Sequence, residues 1–157
     1  MYKRQIKTFS PRGVSYVGEG ELSRFCKIAH NVMLGVVIQN LYEITILAQK
    51  AGVPLHAFLD FMNNGVMGSM FTRYKSNALV NLDWTTTFTP ELLRKDLDLG
   101  LEAGRTLGVP MPVTAATREV VRERIRIVRV KEPGDVNVST LMSLAMLAGL
   151  ALLAAIR

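Results

Sequence analysis

Cysteine is all but missing from this chain of 157 residues: Cys26 stands alone. A single thiol forms no internal disulfide, and no CxxC pair or Cys/His spacing is present. No metal site is therefore expected, and a reducing, cytoplasmic setting is. Also lacking is any Gly-x-Gly-x-x-Gly run that opens a strand–helix unit. Gly18-Glu19-Gly20 has no third glycine, and no phosphate-cradling helix start follows at the right place. The N-terminal MYKRQIKTFS has no apolar core of the kind a secretory signal needs. Aromatic residues make up only 7%, and none interleaves with the basic run RERIRIVRV as a stacking platform would, so nucleic acid is not expected as a partner. Much of the net charge of +6 sits in that run, so it does not mark the whole chain as a binder of polyanions. No repeat of about 20–50 residues appears.

What is present is helix. Hydrophobic residues make up 49% and charged ones 20%, the balance of a globular domain with a sizeable core. The stretch Gly20 to Ala51 has one interior glycine, Gly35, and no proline. Its apolar residues, among them Leu22, Phe25, Val32, Val36, Leu41 and Ile44, recur at mixed spacings of three and four. At about 1.5 Å per residue the helix would run roughly 45 Å. It is apolar on so many faces that a central position with neighbours all round is expected. Lys27, His30 and Asn31 stand at i, i+3 and i+4, which gathers an ammonium, an imidazole and an amide on one face of its first turns. Spacing alone favours a lysine that snorkels to water and two polar side chains that each find one partner.

Around that helix the chain reads in order. Val14-Ser15-Tyr16-Val17 reads as a strand closed by glycines, and one strand needs a sheet partner. Leu55, Phe58, Leu59 and Met62 form a helical stripe after Pro54, stopped at Asn63-Asn64-Gly65. Residues 66–79 carry Met67, Met70, Phe71 and Tyr74 at helical spacing, read as core. Thr89 and Pro90 suit the cap and first position of a helix over roughly 90–107 that Gly108 ends. Pro112 opens another helix, and from Arg122 the pattern drifts towards period two. Leu141 to Ile156 is almost wholly apolar but shorter than the ~20 residues of a membrane span, so a buried or oligomer-facing helix is expected and membrane contact is not.

The run Lys27-Ile28-Ala29-His30-Asn31, seven residues beyond Gly20, resembles the active-site helix of the β-hydroxyacid dehydrogenases. That family includes 3-hydroxyisobutyrate dehydrogenase, tartronate semialdehyde reductase and 6-phosphogluconate dehydrogenase. A second stretch, FTPELLRKDLDLGLEAGRTLGVPMPVT, is similar to the family's phenylalanine-then-KDL helix and its LGVPxP connection. Together the two cover roughly residues 14–120. The resemblance implies an all-α fold class, a helical domain built round one long central helix, with the orphan strand left from a missing Rossmann domain. Its implied divisions are 1–19 (a basic segment and that last strand), 20–130 (a helical catalytic and dimerisation domain) and 131–157 (an atypical apolar C-terminal helix).

The resemblance also implies chemistry. An NAD(P)-dependent oxidoreductase acting on a short 3-hydroxy acid or its semialdehyde would use Lys27 as acid/base. Asn31 and His30 would bind substrate, and Phe88, Lys95 and Asp96 would stand towards the cofactor. A lysine has a reference pKa of about 10.4, so a basic role asks for burial or a neighbouring cation. NAD or NADP would be held mainly by the absent Rossmann domain, so the chain by itself is expected to be inactive. Leu34 stands where the sugar-phosphate member has an acid for its decarboxylation product, which argues for simple alcohol oxidation. Glu21-Leu22-Ser23 replaces the glycine-rich turn many members have before the lysine. A homodimer through the helical domain is the implied assembly. The alternative is a non-catalytic helical dimerisation or scaffold module.

Overall fold

A computed structural model describes residue 10 and residues 13–81 and 88–131. Among the described residues five helices follow one another: α1 (Leu22–Lys50), α2 (Leu55–Asn64), α3 (Met70–Val80), α4 (Pro90–Leu107) and α5 (Pro112–Lys131). The fold is all-α. Val14–Val17 has no regular secondary structure, and among the described residues there is no strand. The strand expected there is corrected for a physical reason: no described segment offers its backbone a ladder. The apolar segment 141–156 lies outside the described residues.

Local chemistry sets the helix ends. At the end of α1, Gly52 takes φ +90° and lets the N–H of Val53 donate to Ala48 O at 3.0 Å, which answers a carbonyl the helix would leave open. The Ser69 hydroxyl accepts from Thr72 N–H while Thr72 Oγ1 accepts from Ser69 N–H, a reciprocal cap that starts α3. The helix expected over 66–79 therefore begins only at Met70. Thr89 Oγ1 accepts from Leu92 N–H at 3.3 Å, Pro90 fills the first position of α4, and Gly108 at φ +67° ends it. Residues Arg122–Val130 continue α5 as helix instead of turning to strand periodicity, because Val121 and Ile125, one turn apart, are both buried.

The core is a seam between α1 and α4, closed by α2, α3 and α5. Leu93 and Leu97 of α4 are buried against Ile38 and Leu41 of α1, with Leu59, Leu79, Val121 and Ile125 completing the cluster. Glycines on both helices allow the close approach. A Cβ on Gly35 would stand 2.8 Å from Leu93 Cδ1, and one on Gly100 would fall on Val32 Cγ2. Along α1 the buried residues Val32, Gly35, Ile38, Leu41 and Thr45 make a single stripe, whereas Leu22 to Lys27 are exposed. The helix is central only from its third turn onward, because no described element covers its start. α1 is the described helix long and apolar enough to cross a membrane by length and composition, a test that core helices of soluble domains also pass.

Candidate functional site

The α1–α4 seam carries the polar residues of both helices into one place. One turn before Gly35 stands Asn31; one turn before Gly100 stands Asp96. Asn31 Nδ2 donates to Asp96 Oδ2 at 2.8 Å across the seam. A carboxylate only accepts, so this bond fixes which end of the amide faces α4 and leaves Asn31 Oδ1 pointing away from it. His30 Nδ1 lies 3.3 Å from that oxygen, and the pairing requires the proton on Nδ1, which leaves Nε2 as acceptor in the neutral ring. Asp96, Asn31 and His30 thus form a short relay with a defined direction.

Beside the relay is a cavity of about 340 Å³. Lys27, His30 and Asn31 line it from α1, and Phe88 and Leu93 from the start of α4. Leu34 and Ile38 continue the α1 wall, and α3 contributes Phe71, Tyr74 and Lys75. Lys27, His30 and Asn31 therefore share one cavity with Phe88, and Asp96 joins them through its hydrogen bond. Lys95 does not. It is exposed on the other side of α4 and lines a groove of about 610 Å³ towards α5. There Arg118 Nε donates to Asp98 Oδ1 at 2.7 Å, and Arg105 pairs with Glu102. Asp96 accordingly braces Asn31 and not Lys95. A third cleft of about 330 Å³, bounded by α1 and α5, has Glu43 as its single ionisable lining residue and offers no acid–base pair. Among the described residues no group of three or more metal-binding side chains occurs.

Lysine 27 is exposed, so the burial that would make it a base is not provided by the described residues. The methionine and aromatic stripe expected in the core also stands partly outside it: Met67, Met70 and Tyr74 are exposed, and only Phe71 packs against the buried cluster. This same stripe hid Lys75. It is partly buried, with Nζ 5.0 Å from the Tyr74 ring centre and 6.0 Å from that of Phe71. The signal in the sequence was a lysine four positions after Phe71, on the same helix face.

The helical domain thus carries a lysine, an amide and an aromatic residue round one apolar-walled cavity. A family model, NAD-binding of NADP-dependent 3-hydroxyisobutyrate dehydrogenase, matches residues 20–135, and the chain belongs to that family. 2-(Hydroxymethyl)glutarate dehydrogenase of Eubacterium barkeri is 27% identical over 110 residues, 69% of this chain and 36% of that protein. The cytokine-like nuclear factor N-PAC of Gallus gallus is 26% identical over 124 residues, 78% of this chain and 22% of that protein. Crystalline 3-hydroxyisobutyrate dehydrogenase of Salmonella typhimurium has the same fold, with a TM-score of 0.68 at 22% identity over 78% of this chain and 42% of that one. The chain thus spans about a third or less of the length of these curated relatives.

Proposed function

We propose that this chain is the helical portion of an NAD(P)-dependent oxidoreductase acting on a short 3-hydroxy acid or its semialdehyde, with Lys27 as acid/base. The observation that carries the reading is the convergence of Lys27, Asn31 and Phe88 on one cavity while Asp96 fixes the Asn31 amide. The donor set fits the nicotinamide end of the cofactor. An aromatic side chain and apolar walls suit a planar ring, and an ammonium with an amide suits a hydroxyl between them. Bound, the nicotinamide supplies the hydride acceptor or donor. The pyrophosphate needs a glycine loop at a helix N-terminus, and the residues for that belong to a dinucleotide-binding domain outside this chain.

In alcohol oxidation the Lys27 amine, in its neutral form, takes the hydroxyl proton as the carbonyl forms; in reduction the ammonium returns it. Asn31 holds the substrate oxygen in line with Lys27, and its orientation is maintained by Asp96. His30 presents Nε2 as an acceptor for a second substrate hydroxyl or acid proton. Leu34 adds no acid at the next turn, which restricts the chemistry to the alcohol–carbonyl interconversion. The dinucleotide-binding domain would cover the exposed start of α1, and that cover would desolvate Lys27. In this reading residues 1–19 lead out of that domain, 20–130 are the catalytic and dimerisation unit, and two copies associate through the helices.

The test is reconstitution. The chain alone should show no turnover of 3-hydroxy acids with NAD or NADP. Joined at its N-terminus to the dinucleotide-binding domain of a family dehydrogenase, it should turn over. There Lys27→Ala should lower kcat by about a thousandfold with cofactor affinity nearly unchanged. An unaltered kcat in that variant removes Lys27 from the mechanism. Ordinary turnover by the chain alone refutes the dependence on a second domain. The second reading, a non-catalytic helical module, is favoured by one observation: a relative matched over 78% of this chain has the name of a nuclear factor and not of a dehydrogenase. An inactive fusion that still binds cofactor would support it.

A further inference from the structure

The floor of the Lys27 cavity runs from the surface into the core. Lys27, His30, Asn31, Leu34 and Ile38 stand at i, i+3, i+4, i+7 and i+11, on one stripe of α1. At about 1.5 Å per residue that stripe is roughly 16 Å long. Exposure falls along it: Lys27 and His30 are exposed, Asn31 and Leu34 are half-buried, and Ile38 is buried. Polarity falls in step, since Asn31 is the last polar group on the α1 wall. Beyond it Leu34 and Ile38 share the cavity with Leu93 of the buried cluster and with Phe71, which packs against that cluster. Lys75 also lines the cavity, but its ammonium lies over the Tyr74 and Phe71 rings and has another partner besides.

The hydroxyl chemistry uses only the open end of this stripe. The cavity's volume of about 340 Å³ lies within the range of about 300–1,000 Å³ found for sites that take drug-sized ligands, and a three-carbon hydroxy acid is far smaller than those. A dinucleotide-binding domain over the exposed start of α1 brings its nicotinamide in from the Lys27 end, which leaves the deep end to the substrate. We infer that the substrate is a 3-hydroxy acid of short main chain whose second carbon carries an apolar arm, alkyl or benzyl, directed along α1 to Leu34 and Ile38. Leu34 is then the specificity-determining residue, as the first side chain the arm meets beyond Asn31. A hydroxylated or charged arm gives up its water there and finds no partner in Leu34, Ile38 or Leu93, whereas each methylene buried against them is favourable. The inference rests on the reading of this cavity as the substrate pocket.

The first experiment needs no turnover. The full 157-residue chain is titrated with 3-hydroxypropionate and with its 2-methyl, 2-butyl and 2-benzyl derivatives, while the methyl NMR signals of Leu34 and Ile38 are followed. The butyl and benzyl acids are expected to shift both signals saturably. The dissociation constant should fall about fourfold for each methylene added between methyl and butyl. Leu34→Phe, which fills the deep end, should return the butyl acid to the affinity of the unsubstituted one and leave the latter unchanged. Equal affinities along the wild-type series, the absence of any saturable shift, or a gain per methylene that survives Leu34→Phe overturns the inference. The wild-type series decides by itself where Leu34→Phe fails to fold.

The reconstituted fusion separates this from the parent reading. A kcat/KM that climbs with the length of the arm, and loses that climb in Leu34→Phe, supports the apolar subsite. Turnover that depends on Lys27 but is flat along the series sinks the subsite alone. Tighter binding along the series without Lys27-dependent turnover sinks the dehydrogenase reading alone.

Discussion

Asn31 owes its direction to a residue on another helix, 65 positions later in the chain. The amide could present either end to a ligand, and Asp96 removes that freedom because a carboxylate cannot donate. Tyr42 illustrates how burial alone acts on a titratable group. It packs beside the buried cluster, and that burial pushes its phenol up from 10.0 to about 12. The folded chain holds the phenolic proton more tightly than the unfolded chain does. The contribution to stability is therefore complete below pH ~10 and is lost as pH rises towards ~12, where it amounts to about 2 kcal/mol at most. Urea midpoints measured at pH 9 and pH 11 should fall in the wild-type chain by more than in Tyr42→Phe. Equal falls in the two proteins would mean that the phenol is not buried in solution.

At the scale of elements, the α1–α4 crossing places the site, and two glycines set how closely the helices approach. Gly100→Ala would direct a methyl group onto Val32 Cγ2, part of the interior of the seam and not the far end of a long flexible side chain. A destabilisation of about 1–3 kcal/mol is expected, with loss of the Asn31–Asp96 contact as the helices separate. Thermal melts and the amide NMR signals of Asn31 would register both effects; an unchanged melting temperature would show that the seam yields freely. The elements themselves were readable from sequence because their ends are local chemistry. Thr89-Pro90 and Gly108 bound α4 in the sequence, and they bound it in the fold. The start of α3 lies later than the spacing over 66–79 suggests because Met67 fits the same stripe, while the Ser69–Thr72 cap that decides the matter is a pairing of two small hydroxyls. The run after Arg122 looked strand-like because alternation over a few residues also satisfies a helix when every fourth residue is buried. Lys27, His30 and Asn31 were legible as a group from helical spacing alone. Lys75 and the division of Lys95 from Asp96 onto two faces of α4 were not, since both depend on which helix lies opposite.

For the molecule as a whole, the described surface carries a number of large apolar side chains. Phe25, Met33, Leu47, Phe61, Val66 and Met67 are exposed by 40% to 99%. Two groups of these residues matter for association. Leu22, Phe25 and Met33 stand towards the exposed start of α1, on the side of the helix turned away from Lys27. Phe61, Val66 and Met67 stand on and after α2, where the proposed homodimer would cover them. Apolar surface of this kind drives association, in proportion to the area removed from water. Sedimentation velocity of the chain alone should therefore show concentration-dependent association. Phe61→Asp should weaken it without loss of helix content by circular dichroism, and fusion of the proposed dinucleotide-binding domain should protect the exposed start of α1 from a hydrophobic dye while leaving the Phe61 face to self-associate. A chain that sediments as a monomer throughout, and binds no dye, would show that neither face needs a partner, and the assembly proposed for the helical domain would fall with it.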